Sequence, residues 1–215
     1  MNDHTSAKSA NPKQSPASSS YHHGNLRVAL LEAAVELIRE GGVDKLSLRG
    51  LARKVGVSQT APYRHFQDKN QLLVEIAKHT FAELAGATRA VLDDQANATE
   101  NLYVAGKAYL NFAINNPERY KLVFGPSIDN RSSYTDLVEA GQASFSVLKQ
   151  LVTRGIEQGE FLEDDPQVLS TTCWSAIHGF AALAIDGFYE RQVANTHFDT
   201  LLSNHLRLSL RAILR

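Results

Sequence analysis

The sequence predicts an all-α protein with an N-terminal three-helix helix-turn-helix domain and a larger helical domain behind it. Two observations predict this class. Apolar residues recur at helical spacing along most of the chain after about residue 25, and only six prolines and thirteen glycines interrupt the 215 residues. Alternating apolar runs of the strand type are scarce. We expect a tail at 1–20, the helix-turn-helix domain at 21–80 and the second domain at 81–215.

The first twenty residues contain no large apolar side chain after Met1 and are rich in Ser, Ala, Pro and Asn. Such a segment buries too little apolar surface to offset the entropy of ordering it. We therefore expect it to be disordered. From Asn25 the pattern changes, and apolar residues at helical spacing predict a first helix that Gly41 and Gly42 end.

A tight turn separates the next two predicted helices. Ser47 can cap a second helix with one continuous apolar stripe, and Gly56 follows where a left-handed residue is wanted. Ser58 is then a second N-cap candidate, which predicts a short third helix over Gln59–Phe66. Two short helices at this spacing indicate a helix-turn-helix.

Asp68 is the N-cap candidate of a fourth helix that has no clear breaker until about Asp93 and Asp94. It should carry the chain into the second domain. Further helices are expected at about 97–115, 117–124, 133–158, 166–188 and 197–214. The uncharged run from Val168 to Ile185 approaches the ~20 residues that span a bilayer, but its hydroxyls and His178 favour a helix buried on all sides.

Charge is distributed unevenly along the chain. Residues 1–80 hold eleven Lys/Arg and seven Asp/Glu, and the remainder holds eleven and sixteen. A basic N-terminal third suits contact with a polyanion.

The single cysteine, Cys173, cannot form an intramolecular disulfide, and no secretory leader opens the chain, so we expect a cytoplasmic protein.

The third predicted helix carries the residue types that DNA recognition needs. Pro62 and Phe66 share one face and should be buried, which leaves the polar side chains exposed. Gln59 can pair with adenine, Arg64 can reach guanine or a phosphate, and Thr60 with Ala61 can touch a thymine methyl group. The phosphate contacts that we expect to fix the register are Tyr63, His65, Arg49 and Lys69.

The stretch from Leu48 to Leu73 closely resembles the N-terminal domain of the TetR family of repressors, most specifically in the run Tyr63-Arg-His-Phe-Gln-Asp-Lys69. The resemblance implies an all-helical homodimer that binds a palindromic operator in double-stranded DNA. It also implies a C-terminal domain that dimerises through its last two helices and binds a small inducer. The leader Tyr21–Arg27 looks like the entry of one branch of the family.

Trp174, His178 and Gly179 match the Trp-x-x-x-His-Gly signature of a C-terminal domain found in many TetR-like regulators. Packing at an interface and contact with a ligand both remain open for His178. Aromatic residues of the middle helices could line an apolar inducer cavity or belong to ordinary core. The candidate pocket residues are Tyr109, Phe112, Tyr120, Phe124, Trp174 and His178. The inducer is not identified, and we considered lipophilic and cationic compounds.

Two other classes of protein remain as alternatives to a ligand-responsive repressor. One is an adaptor that keeps the fold without binding DNA. The other is an enzyme that uses Cys173 or His178, but no nucleophile elbow, metal motif or phosphate motif completes such a site. We expect no cofactor. His22 and His23 have no third ligand at suitable spacing for a metal, and they lie along the DNA backbone or at a solvated helix start.

Overall fold

The computed structural model describes residues 26–189 and 197–215, and this part of the chain confirms the all-α prediction. The predicted tail and the leader with His22 and His23 lie outside the described residues. The described residues form eight α-helices and three short 3-10 helices. The α-helices are α1 (Leu26–Gly41), α2 (Leu48–Val55), α3 (Lys69–Arg89), α4 (Ala98–Asn115), α5 (Pro117–Phe124), α6 (Thr135–Glu157), α7 (Pro166–Ile185) and α8 (Phe198–Arg211). The 3-10 helices are Val43–Lys45, Pro62–Arg64 and Arg131–Ser133.

Both predicted ends of α2 are confirmed. The Ser47 hydroxyl accepts from the Gly50 amide at 3.1 Å, which satisfies one free N–H of the first turn. Gly56 lies in the left-handed region at φ 76°, and the Val57 amide donates back to the Ala52 carbonyl at 3.0 Å. This closure needs a residue without a Cβ, so glycine fixes where α2 stops and how the chain leaves it.

The third helix is shorter and tighter than predicted. Gln59 and Thr60 lie in a turn, and only Pro62–Arg64 is helical, as one 3-10 turn. Proline lacks the N–H that would donate to the Ser58 carbonyl, so the ladder is broken inside the segment. Ser58 also does not act as the predicted cap, because its hydroxyl lies 3.2 Å from that of Thr60.

Helix α3 links the N-terminal helices to the rest of the molecule. Asp68 caps it as predicted, accepting from the Gln71 amide at 2.8 Å. The helix then runs past residue 80, the predicted domain boundary. One hydrophobic core joins α1, α2 and α3 to Leu122, Val123 and Leu137 on α5 and α6. The helix-turn-helix therefore packs directly on the elements of the following domain.

The later helices lie within a few residues of their predicted ranges. A second core joins α4, α6 and α7 to the C-terminus, and a third joins α4, α5, α7 and α8. Gly155 on α6 is buried against the Phe161 ring, and a Cβ there would lie 2.1 Å from two ring carbons. This contact brings the end of α6 close to the turn that leads into α7.

Helix α7 is not buried on all sides, contrary to the prediction. It is long and apolar enough to cross a membrane, but buried residues occupy only a third of its span. Leu169, Cys173 and Ile177 are buried, whereas Val168, Thr172 and Ser175 are exposed. The sequence gives the mean hydropathy of a helix but not which of its faces finds a partner within one chain.

Candidate DNA-contact surface and internal cavity

The segment after α2 presents polar side chains outward on a buried anchor. Pro62 and Phe66 are buried as predicted, and the Phe66 amide donates to the Pro62 carbonyl at 2.9 Å. Gln59, Thr60, Tyr63 and Arg64 are exposed, as is Arg49 at the start of α2; Ala61, His65 and Lys69 are half-buried. The structure thus confirms the predicted exposure of Gln59, Thr60, Tyr63 and Arg64, while contact of any of these residues with DNA stays a prediction.

Some cations on this surface are paired with a carboxylate and others are not. Arg27 pairs with Glu75 at 2.6 Å, and Lys54 lies 2.9 Å from Glu40. In contrast, Arg49, Arg64 and Lys69 have no ion-pair partner among the described residues. Unpaired exposed cations leave their charge available to phosphate groups.

The start of α3 is only partly open to an anion. Asp68 already occupies the Gln71 amide, and the Gln67 amide donates to the Gln71 side chain at 2.6 Å. The amides of Lys69 and Asn70 belong to the first turn, where a helix has no internal acceptor for them. The backbone amides of Lys69 and Asn70 therefore still support the predicted phosphate contact at Lys69.

An internal cavity of about 650 Å³ lies between α3, α4, α6 and α7. Its volume is in the range of cavities that hold drug-sized ligands. Predicted pocket residues that line it are Tyr109, Phe124 and Trp174. Phe112 does not line it; its ring is half-buried beneath the Arg119 guanidinium, whose carbon lies 5.6 Å from the ring centroid.

Tyr120 and His178 stand behind the cavity wall, in a hydrogen-bonded chain with the two residues that face it. Burial without a counter-charge holds the pKa of His178 below its usual range, which favours a neutral imidazole. The Tyr120 hydroxyl and His178 Nδ1 are hydrogen-bonded at 2.6 Å. The Tyr109 hydroxyl is hydrogen-bonded to that of Tyr120 at 2.8 Å and accepts from Trp174 Nε1 at 3.2 Å.

Tyr109 and Tyr120, the two tyrosines of this hydrogen-bonded group, stay neutral. Burial raises the pKa of Tyr109 to about 12 and raises that of Tyr120 as well. Each hydroxyl therefore keeps its proton. His178 thus lies behind the wall in hydrogen-bond contact with Tyr120, and the two hypotheses from the sequence, packing at an interface and contact with a ligand, both stay predictions.

Sequence reasoning missed the α6 side of the cavity. Phe145 packs edge-on against Trp174 with ring centroids 6.0 Å apart, and Gln142, Ser144 and Lys149 also line the space. The apolar face of α6 is visible in the sequence. Its pairing with α3 and α7, which encloses the cavity, is a long-range property that no local pattern gives.

Cys173 has the environment of a structural residue. Its side chain is buried in the second core, and burial raises the pKa of the thiol to about 11. A thiol with a raised pKa is poorly nucleophilic at neutral pH. The enzyme hypothesis therefore loses one of its two candidate groups.

Polar contacts connect α3 to α5, to the start of α6 and to the loop between them. Asn70 Nδ2 donates to the Tyr134 hydroxyl at 2.9 Å, and the Asp129 amide donates to Asn70 Oδ1 at 2.9 Å. Lys78 pairs with Asp136 at the start of α6. The Arg119 Nη2 donates to Glu83 at 2.5 Å. Asn70 neighbours the predicted DNA contact Lys69, so the loop before α6 is tied to the end of α3 nearest that contact.

Two family models match the chain. Residues 30–76 match "Bacterial regulatory proteins, tetR family", and residues 102–207 match "Tetracyclin repressor-like, C-terminal domain". The nucleoid occlusion factor SlmA of Aliivibrio fischeri is 24% identical over 161 residues, which are 72% of this chain and 81% of that protein. An HTH-type transcriptional regulator of Mycobacterium bovis is 26% identical over 153 residues, which are 68% of this chain and 65% of that protein.

Solved structures share the fold over nearly the whole chain. A protein of unknown function from Rhodococcus sp. RHA1 superposes with a TM-score of 0.78 at 30% identity, covering 92% of this chain and all of that one. The TetR family transcriptional regulator PfmR from Thermus thermophilus superposes with a TM-score of 0.63 at 22% identity, covering 85% and 97%. The helix-turn-helix and the helical body therefore occur together in known proteins.

Proposed function

The chain belongs to the TetR family and is a DNA-binding transcriptional regulator, and from this premise we propose that it is a homodimeric repressor released from a palindromic operator by a small molecule. The observation that carries the proposal is the outward-facing polar segment from Gln59 to Arg64, held on the buried Pro62 and Phe66. We place base recognition in this segment and assign the phosphate contacts to Tyr63 within it and to residues on either side.

Within this proposal, Gln59, Thr60, Ala61 and Arg64 contact base edges in the major groove. Arg49, Tyr63, His65 and Lys69 contact the phosphate backbone and fix the register. The unpaired cations at the surface support these roles, since each would release counterions on binding. In a symmetric dimer the two segments lie about one DNA turn, ~34 Å, apart.

Selection of bound sequences from random double-stranded DNA tests the DNA contacts. The recovered sites should be palindromes with half-sites about one turn apart. Arg64→Ala or Gln59→Ala should cost about 1–3 kcal/mol at particular bases, because a paired base edge loses its partner. Lys69→Ala should weaken binding to all sequences and reduce the salt slope by about 1.

The matched control for Lys69 is Lys107→Ala, which removes an exposed cation from α4. It should leave both affinity and salt slope unchanged. Equal binding of the parent and the Arg64 and Gln59 variants to the selected operator would refute the assignment of base contacts. Failure to recover any sequence would favour the adaptor hypothesis, which predicts no steep dependence on salt.

Exposed faces of α7 and α8 support dimerisation through these helices. Val168, Thr172, Ser175, Gly179 and Leu183 recur at helical spacing and form one stripe along α7. Val168 is 53% exposed and Leu183 43%. On α8, Leu208 is 61% exposed. Exposed apolar side chains on the last two helices are suited to burial in an intersubunit four-helix bundle.

The cavity supports the inducer part of the proposal. A ligand between α4, α6 and α7 would contact α6 directly, and α6 is tied to α3 through the Lys78–Asp136 ion pair and through Tyr134 and Asn70. Differential affinity for two arrangements of these helices would shift the spacing of the two DNA-binding segments. We also place the protein in the cytoplasm, where its operator is.

A further inference from the structure

The cavity has a marked bias in charge. Among the described residues that line it, Lys149 is the only charged one, and neither Asp nor Glu is present. Moving a ligand cation into this space would strip its hydration without offering a carboxylate in exchange. The structure therefore favours the lipophilic class of inducer over the cationic class.

The cavity is also divided into an apolar interior and a polar mouth. The buried side chains at its inner wall are apolar, among them Leu84, Leu102 and Ile177. Four polar lining residues are exposed: Gln142, Lys149, Gln167 and Thr171. Three others are half-buried, namely Ser144 and also Thr88 and Ser146, whose hydroxyls donate to carbonyls of their own helices. A ligand that fills the cavity thus has its apolar part inside and its polar part beside the exposed residues.

Aromatic rings make up a large part of the inner wall. Trp174 lies 5.9 Å from Phe124 and 6.0 Å from Phe145, centroid to centroid. The polar atoms of Trp174 and Tyr109 are bonded to each other, with Trp174 Nε1 3.2 Å from the Tyr109 hydroxyl. The wall therefore offers aromatic faces and edges to a ligand rather than unused hydrogen-bond donors.

We propose that the cavity binds an arylalkyl carboxylate, with its aromatic and alkyl part against Trp174 and Phe145 and its carboxylate at Lys149. The inference deepens the proposed inducer site and rests on it only for the consequence of binding. A carboxylate beside an exposed lysine gains a modest, solvent-screened attraction. Specificity for the charge of the head group should accordingly be several-fold, while most of the affinity comes from apolar burial.

Three probes separate the effect of charge from that of apolar burial, because they share a phenyl ring and a six-carbon chain and differ only in the head group. They are phenylhexanoate, phenylhexanol and phenylhexylamine. Their phenyl rings leave the fluorescence of Trp174, the only tryptophan in the chain, free to report binding. We expect phenylhexanoate to bind about threefold to tenfold more tightly than the alcohol, and the amine to bind most weakly. The measurement is made on the full chain without DNA.

Charge variants at the mouth test the role of Lys149. Lys149→Gln should make the acid and the alcohol bind alike, and Lys149→Glu should make the amine the preferred probe over the acid. Lys107→Ala is the control, because Lys107 is an exposed cation on a cavity helix that does not line the cavity. Ser144→Phe, which places a ring in the cavity, should abolish binding of all three probes while the helical circular dichroism is retained.

The proposal is overturned if none of the probes changes Trp174 fluorescence, if the amine binds as tightly as the acid, or if Lys149→Gln leaves the preference for the acid intact. These outcomes do not depend on operator binding. A parent protein that selects a palindrome but ignores the probes would refute the ligand class alone. A protein that binds phenylhexanoate but no DNA would refute the proposed function alone.

Discussion

At the scale of single residues, the role of His178 depends on contacts with residues that are distant from it in the sequence. The sequence places it one turn after Trp174, but not beside Tyr120, which lies on another helix. In the structure it lies at one end of a hydrogen-bonded group that runs from Trp174 through Tyr109 and Tyr120. A neutral imidazole suits this place, because it can pair with the Tyr120 hydroxyl as donor or as acceptor, whereas the charged form would be buried without a counter-charge.

The pH dependence of stability should report this histidine. Burial lowers the pKa of His178 from its ordinary value of 6.5. Below that value the unfolded chain binds a proton that the folded chain excludes, so the free energy of unfolding falls as the pH falls, until the lowered pKa is reached. Above the ordinary value both states are neutral and the contribution to the pH dependence vanishes.

His178→Asn should remove this contribution while keeping an acceptor for Tyr120. Thermal unfolding between about pH 7 and pH 5.5 should show a smaller loss of stability in the variant than in the parent. We expect the difference to be less than about 1 kcal/mol, since the imidazole is only half-buried and solvent screens its charge. Parallel pH profiles for the two proteins would contradict the assignment.

At the scale of elements, replacing a helical glycine with alanine should have opposite effects on stability at two positions, because their surroundings differ. Gly155 on α6 is buried against Phe161, where a Cβ would lie 2.1 Å from the ring. At Gly86 on α3, no atom of the part of the chain that the structure describes lies within 4 Å of the same position. Helix propensity favours alanine over glycine by roughly 0.5–1 kcal/mol at both sites. Only packing distinguishes them.

Gly155→Ala should therefore destabilise the protein by about 1–3 kcal/mol, since the ring or the helix must move to admit the methyl group. Gly86→Ala should stabilise it by roughly 0.5–1 kcal/mol. Urea unfolding of both variants beside the parent measures the two changes. A stabilising Gly155→Ala would show that the Phe161 ring moves aside at little cost.

At the scale of the whole molecule, the exposed stripe on α7 makes a prediction about assembly. A Cβ at Gly179 meets no atom of the described residues within 4 Å, although the helix is otherwise packed on one side. Gly179→Leu should therefore fold normally but obstruct close approach of a partner helix. In a two-fold symmetric interface the obstruction occurs twice.

We expect Gly179→Leu to raise the dimer dissociation constant at least tenfold, corresponding to about 1.4 kcal/mol or more, and to weaken operator binding. Sedimentation at a series of concentrations measures the dissociation constant. Val91→Arg is the control, because Val91 is an exposed apolar residue between α3 and α4. A Gly179→Leu protein that stays as dimeric as the control would exclude this stripe from the interface.

Local sequence signals were enough for the fold class, for the limits of most helices and for the exposure of Gln59, Thr60, Tyr63 and Arg64. The caps at Ser47 and Asp68 and the left-handed Gly56 depend on backbone groups within a few residues, so the sequence states them directly. The third helix failed where two local signals competed: Pro62 permits a helix start but interrupts the hydrogen bonds of a longer helix. The type of C-terminal domain that the Trp174–Gly179 signature indicates remains a prediction, although the structure shows where these residues lie.

The ligand cavity depended on contacts between distant segments. Phe112 and Phe145 are equally aromatic in the sequence, yet Arg119 covers Phe112 while Phe145 meets Trp174 at the cavity wall. The mean hydropathy of α7 did not reveal which of its faces lies against α4, α6 and α8 and which stays exposed. Caps and turns form between near neighbours in the chain, whereas a cavity and a free face depend on how whole helices pack, which is why the sequence predicted the former and the fold alone located the latter.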